Sequence, residues 1–155
     1  MQTMDAGKHS KNRPYGRLLA MTVLSFVAMF VLMYAMVDKF SNVYGNLNQV
    51  YMAALMAAPM VIIELILMRG MYPDVKLNAV IIAATLVVMT LCWVFIRQQS
   101  AISDRQFLRS MIPHHAGAVL MCEQNRLKDP ELKALCQEIL TSQRAEILLM
   151  KSKLE

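Results

Sequence analysis

The sequence predicts an all-α protein with three transmembrane helices followed by an extracytoplasmic helical hairpin. Three observations support this fold class. Of the 155 residues, 57% are hydrophobic and only 17% are charged, and the apolar residues are concentrated in blocks. Two of these blocks run for 20 residues without a charge, which is enough to cross a bilayer as a helix. Beyond residue 97, apolar residues recur at helical spacing on either side of an Asp-Pro-Glu helix start.

The membrane region is expected at residues 18–96, after a basic tail at residues 1–17. The first apolar run is too long for the core of a signal peptide and no small-residue cleavage site follows it, so we expect an uncleaved anchor. A polar loop separates the first two spans, and Gly70 and Pro73 interrupt the chain before the third. The predicted spans are Leu18–Val37, Val50–Met68 and Leu77–Ile96.

The orientation follows from the Lys and Arg residues of the short loops. With the N-terminus inside, six of these residues lie on the inner side and four on the outer side. Three spans then place residues 97–155 outside the cytoplasm. We therefore predict a multi-pass protein of the bacterial inner (plasma) membrane with a periplasmic C-terminal domain. The net charge of +5 forms no basic stripe with interleaved aromatic residues, so we expect a lipid partner and no nucleic acid.

The C-terminal domain, residues 97–155, has the signals of two helices. Ser103 and Gln106 resemble a capping box, and Asp129 is the expected N-cap of the second helix, with Pro130 in its first turn. Pro113 should kink the first helix or mark its start.

A turn near Asp129 makes the two helices antiparallel, so that facing residues have numbers that sum to about 258. Cys122 then faces Cys136, and His115 faces Gln143 to within one helical turn. A hairpin this short cannot bury a core alone. We expect it to complete a four-helix bundle with a second copy, as a homo-oligomer, or to pack on the membrane spans.

The donor residues of the hairpin favour a soft metal. The spacings of three, four and seven among Met111, His114, His115 and Met121 put pairs of these residues on shared helix faces. The two histidines point about 100° apart, so they join one site only with distortion at Pro113, or else serve different sites. Imidazole with thioether suits copper, as Cu(I) or Cu(II), or silver better than magnesium or calcium. The alternative is that the histidines are structural or solvated.

Residues 104–155 also resemble the family catalogued as domain of unknown function 305. The resemblance rests on a Met-x-x-His-His motif, an Asp-Pro-Glu-Leu helix start and a late Gln-x-x-Glu-Ile-x-x-Met motif. It implies a ferritin-like helical fold and extracytoplasmic copper binding through the His and Met residues. The matching positions are Phe107, Met111, His114, His115, Ala118, Met121, Asp129, Pro130, Glu131, Leu132, Gln143, Glu146, Ile147 and Met150.

Three interpretations remain open for Cys122 and Cys136. In an oxidising compartment the facing pair could form a disulfide. If reduced, the thiols could bind copper, and they could also be two small buried side chains. The third cysteine, Cys92, is expected to be an ordinary span residue.

A stripe of methionines steps by four along the second span, with Glu64 in the series. One hypothesis is a thioether path for soft metal ions, with Glu64 as a charged waypoint. The other is ordinary helix packing, with Glu64 near the inner interface, where it either pairs with Arg69 or snorkels. The methionines of the stripe are Met52, Met56, Met60 and Met68.

The function that these patterns favour is a membrane-anchored copper- or silver-binding protein for metal tolerance, storage or delivery. The predicted ligands are Met111, His114, His115, Met121 and Met150, with Glu146 as a ligand or as an acceptor for a histidine N–H. The alternative is a non-catalytic scaffold or regulatory protein whose hairpin mediates assembly. We predict no enzyme, because Glu-x-x-His repeats, a Ser-His-Asp pattern and a phosphate-binding glycine loop are all missing from the sequence.

Overall fold

A computed structural model describes the backbone of residues 6–155 and the side chains of residues 13–155. The first five residues of the predicted basic tail lie outside the described residues. Helices and their connecting loops account for all of the described chain. The five α-helices are α1 (Ala6–Leu32), α2 (Leu47–Leu67), α3 (Val75–Gln98), α4 (Asp104–Gln124) and α5 (Pro130–Ser152).

Three segments are long and apolar enough to cross a membrane, as the sequence predicted. They are Arg13–Met36, Leu47–Leu67 and Val75–Gln98. Their ends differ from the predicted ends by a few residues. The first segment ends in the 3₁₀ turn Met33–Met36, and α1 begins at Ala6, so part of the predicted tail is helical. The chain divides into two compact units, which are described separately: unit 1 combines the residues up to Phe30 with Val50–Ser100, and unit 2 combines Val31–Gln49 with Ala101–Glu155.

In unit 1, a hydrogen-bonded chain of polar side chains surrounds Tyr72. The Tyr72 hydroxyl donates to Glu64 Oε1 at 3.1 Å, and Asn78 Nδ2 donates to the Tyr72 carbonyl at 2.9 Å. The Tyr15 hydroxyl donates to Asn78 Oδ1 at 2.9 Å. The expected pairing of Glu64 with Arg69 is therefore wrong, because the described ion pairs do not join these two residues and the carboxylate is satisfied by the tyrosine.

The methionine stripe of α2 lies outside the buried face of that helix. The buried residues of α2 are Ala53, Ala57, Ala58, Val61 and Leu65, whereas Met52, Met56 and Met68 are exposed. Packing within unit 1 therefore does not account for these three side chains. The path for metal ions along the stripe stays a prediction.

In unit 2, α4 and α5 pack on each other around a buried cluster. Ile112 and Val119 of α4 are fully buried, and Ile147 and Met150 of α5 complete the contact together with Ala116. The spacing of three, four and seven places each set on one face of its helix. The burial of these apolar side chains supplies the driving force for the pairing.

The helix starts agree with the sequence, with one difference. Asp129 Oδ1 accepts from the backbone N–H groups of Glu131 and Leu132, as an N-cap does. Ser103 Oγ accepts from the backbone of Gln106, but the Gln106 side chain caps Leu47 at the start of α2 at 3.0 Å. Pro113 lies inside α4 and does not mark its start.

The segment after the first span covers the α4–α5 cluster. Val37 and Tyr44 pack against it, and Asn46 Nδ2 donates to the Arg109 carbonyl at 3.4 Å. The carbonyl oxygen of Met36 lies 3.5 Å from the position that a Cβ atom would take on Gly117. The helix pair thus obtains part of its packing surface from its own chain.

We expect Gly117→Ala to raise the free energy of unfolding by about 0.5–1 kcal/mol, because alanine favours the helix interior and its methyl group would make an ordinary contact with Met36. Thermal denaturation of the detergent-solubilised protein measures the change. Gly16→Ala in α1, where a Cβ meets no atom within 4 Å, is the matched control. A loss of stability in Gly117→Ala alone would show that the approach of Met36 does not tolerate a methyl group.

Candidate metal centre

His115 is a half-buried histidine with a carboxylate beside it. Its side chain is 13% exposed, and its Nδ1 atom lies 3.4 Å from Glu146 Oε2 across the α4–α5 contact. This distance is longer than an ordinary N–H···O hydrogen bond. Nδ1 is buried and lacks a hydrogen-bond partner among the described residues. Such an unsatisfied buried nitrogen calls for an explanation, and a site whose geometry tightens on binding is one.

The surroundings keep the His115 ring neutral. Burial is the largest cause and lowers the pKa of His115 below its ordinary value of 6.5. The negative charge of Glu146 opposes this shift, and His114 adds to it. A neutral imidazole retains one nitrogen lone pair, which is the form that binds a metal ion.

The position of Glu146 favours one tautomer of that ring. A carboxylate beside Nδ1 is best met by a proton on Nδ1, since two facing lone pairs repel each other. Nε2 then carries the free lone pair. A carboxylate that accepts from the second nitrogen of a metal-binding histidine is a common arrangement in metal sites, because it fixes the tautomer and the ring orientation.

The other predicted residues divide into two groups. Met150 belongs to the buried cluster, and Met111 packs against it. Met111 lies one helical turn from His115 on α4, and Met150 lies one helical turn from Glu146 on α5. The ring of His114 is exposed and lies 6.0 Å from the His115 ring, centroid to centroid. Met121, by contrast, is 52% exposed and lies two turns further along α4.

The donors that this arrangement offers are mainly nitrogen and sulfur. Within residues 13–155, His, Cys, Asp and Glu side chains form no group of three or more that could hold a metal ion. A metal held here would therefore need thioether ligands beside the imidazoles. Two thioethers and two imidazoles fit Cu(I) or Ag(I) and are poor ligands for magnesium or calcium.

Cys122 and Cys136 form a disulfide that joins α4 to α5. Their Cα atoms are 5.3 Å apart and 14 positions separate them in the chain. Of the three interpretations of this pair, the disulfide is the one that the structure shows, so these sulfurs are not free ligands. The ion pair of Arg144 with Glu123 links the same two helices. Cys92 is free and lies in α3.

The predicted register, accurate to within one helical turn, placed Gln143 opposite His115, whereas the structure brings Glu146 Oε2 to 3.4 Å from His115 Nδ1. The sequence had named Glu146 as a ligand or as an acceptor for a histidine N–H, and this position is compatible with either role. Sequence reasoning missed the approach of the Met36 carbonyl to Gly117, and a glycine inside a helix was its only sign.

We expect removal of the disulfide in Cys122→Ser/Cys136→Ser to lower the free energy of unfolding by about 3 kcal/mol, because the bond closes a short loop in the unfolded chain. Denaturant unfolding without reductant measures the loss, and Cys92→Ala is the control. Titration of the unfolded, unreduced protein should find one free thiol. Three free thiols would contradict the disulfide.

We expect the pKa of His115, followed by NMR of its ring protons, to lie below 6.5 and to fall further in Glu146→Gln, which removes the charge that raises it. Glu138→Gln, on the same helix, should leave the pKa unchanged. Because the unfolded chain takes up the proton first, the free energy of unfolding should decrease as the pH falls from about 6.5 through the folded-state value. An equal pKa in Glu146→Gln and wild type would mean that the two side chains do not interact.

Comparison with known proteins connects this helix pair to a family. The family described as a domain of unknown function (DUF305) matches residues 94–154. An uncharacterized protein of Acanthamoeba polyphaga mimivirus is 34% identical over 141 residues, which cover 89% of this chain and 91% of the viral protein. No solved structure matches the chain. The chain therefore belongs to the same family as this viral protein, with a DUF305 domain at residues 94–154.

Proposed function

We propose that the protein is a membrane-anchored binding protein for copper or silver, which acts in metal tolerance, storage or delivery at the outer face of a bacterial inner membrane. The observation that carries this proposal is the half-buried His115 ring, which faces the Glu146 carboxylate and has thioethers one helical turn away on both helices. The protein binds and exchanges the metal and catalyses no reaction.

Each residue of the site has a separate task. Nε2 of His115 is a nitrogen ligand, and Glu146, whose Oε2 lies 3.4 Å from Nδ1, moves closer when the metal binds, accepts from Nδ1 and fixes the ring. Met111 and Met150 offer sulfur, and His114 offers a second imidazole at the exposed side. Met121 lies too far along α4 to share an ion with His115, so we assign it to the surface by which the metal enters or leaves. The ferritin-like fold belongs to this proposal as well.

Two observations support the extracytoplasmic location. A disulfide between Cys122 and Cys136 forms and persists in an oxidising compartment. Three helices of spanning length, with the excess of basic residues at the N-terminal side, support an orientation in which residues 97–155 lie opposite a cytoplasmic N-terminus.

A second candidate function is assembly through the helix pair, in the absence of any metal. The observation that favours it is a row of exposed leucines on α5, Leu132, Leu135 and Leu149. A second copy would cover this row and complete a four-helix bundle. Sedimentation of the detergent-solubilised protein tests this homo-oligomer, and a monomeric wild type would argue against it.

A titration with Cu(I) against a chromogenic Cu(I) chelator tests metal binding. The Cys122–Cys136 disulfide must stay intact, because a reductant that cleaves it creates two thiolates that bind Cu(I) themselves. Ascorbate is therefore the reductant, and Cys92→Ala is the background, so that free thiols are removed. We expect the protein to withdraw Cu(I) from the chelator, and His114→Ala/His115→Ala to lose this ability by a factor of at least about 100.

The controls separate binding from folding. His9→Ala removes a histidine outside the helix pair and should bind as the parent does. Glu146→Gln should weaken binding about 10- to 100-fold, because the ring of His115 loses its acceptor. If the parent does not compete with the chelator, or if the folded double variant competes equally well, the metal-binding proposal is wrong and assembly becomes the better account.

A further inference from the structure

A cavity in unit 2 lies between the loop after the first span and α5, away from His115. Its volume is about 270 Å³. Lys39, Ser41 and Asn42 line it from the loop, and Arg144, Leu148 and Lys151 line it from α5. The metal-binding proposal does not use any of these side chains.

The charge of this cavity is positive, and the described residues do not neutralise it. Asp38 is the one acidic residue of its lining, and it accepts a hydrogen bond from Asn42 Nδ2 at 2.6 Å. Arg144 pairs with Glu123. Lys39 and Lys151 have no ion-pair partner among the described residues. Two uncompensated ammonium groups at one small cavity favour an anion as its occupant.

Exposed apolar side chains accompany these cations. Leu148 lines the cavity and is 70% exposed, and Phe40, which lies between the lining residues Lys39 and Ser41 in the chain, is 92% exposed. Cations next to exposed aromatic and aliphatic side chains are typical of a protein surface that lies in the interfacial region of a bilayer. A site for a free anion in water would require the cationic side chains but not the exposed apolar ones.

The chain itself fixes the depth of this surface. The first candidate span ends at Met36, and Lys39 follows three residues later. Three residues of extended chain reach about 10 Å at most. Lys39 and Phe40 therefore lie at the level of the lipid headgroups if the span crosses the bilayer, and the α5 residues that line the same cavity lie there with them.

We propose that this cavity holds the phosphate-bearing headgroup of an anionic phospholipid, with the phosphate between Lys39 and Lys151 and an acyl chain against Leu148 and Phe40. The lipid comes from the membrane that the spans cross. The proposal is independent of metal binding, because none of the predicted metal ligands lines the cavity.

Quenching of a tryptophan reporter by brominated lipids tests the proposal in the full chain. Trp93→Phe removes the natural tryptophan, and Phe40→Trp places a new one at the cavity. The protein is reconstituted into phosphatidylcholine vesicles that contain a small fraction of either brominated phosphatidylglycerol or brominated phosphatidylcholine. We expect stronger quenching by the brominated phosphatidylglycerol. The ratio of the two association constants should fall about five-fold in Lys39→Gln and again in Lys151→Gln.

Lys133→Gln, at the other end of α5, is the matched control and should keep the ratio of the parent. Circular dichroism verifies that each variant is helical. Equal quenching by the two lipids in the parent, or an equal loss in Lys133→Gln, would overturn the proposal. Millimolar inorganic phosphate separates the two sources of the anion: abolition of the preference by phosphate would identify a site for free phosphate and refute the lipid. An unchanged preference supports it.

Discussion

The buried contact between α4 and α5 is the constraint on which the rest of unit 2 depends. Ile112 and Val119 are fully buried in a cluster to which α5 contributes Ile147 and Met150. Burial of an aliphatic side chain contributes about 1.5–3 kcal/mol, so these side chains favour the pairing of the two helices. The contact also sets the register that places Glu146 beside His115 and Cys136 beside Cys122.

The same contact makes His115 destabilising for the folded protein as long as no ligand is bound. A buried polar atom without a partner destabilises a protein by about 1–3 kcal/mol, and the folded chain carries such an atom at Nδ1. A disulfide and the ion pair of Arg144 with Glu123 join the two helices independently of this histidine. The helix pair can therefore hold an incompletely satisfied ring, which is what a site ready to receive a metal requires.

Most of the features that could be predicted from the sequence were predicted from hydrophobic periodicity and from the residues that begin helices. The three apolar runs, the Asp129 cap and the Cys122–Cys136 pairing depend on local spacing or on one antiparallel turn, and each is present in the structure. Contacts between segments far apart in the chain follow no such rule. The packing of Val37 and Tyr44 on the α4–α5 cluster belongs to this class.

For the candidate site, the residue types were predictable but their grouping was not. Met111 and His115 were placed on one helical face by their spacing, whereas the choice of Glu146 over Gln143 depended on a rotation of α5 of less than one turn. Such a rotation is below the precision with which helix ends can be read from sequence. Tyr72, which holds Glu64 in place of Arg69, was hidden for a related reason: a loop residue has no periodicity.

The position of the disulfide has a consequence for how the helix pair is held together. It joins the two helices close to their connecting loop, whereas Ile147 and Met150 pack near the C-terminal end of α5. A covalent link near the loop and a buried apolar contact at the other end thus restrain the pair at both of its ends. If the apolar contact opens, the disulfide still holds α4 and α5 side by side, so that they close again in the same register.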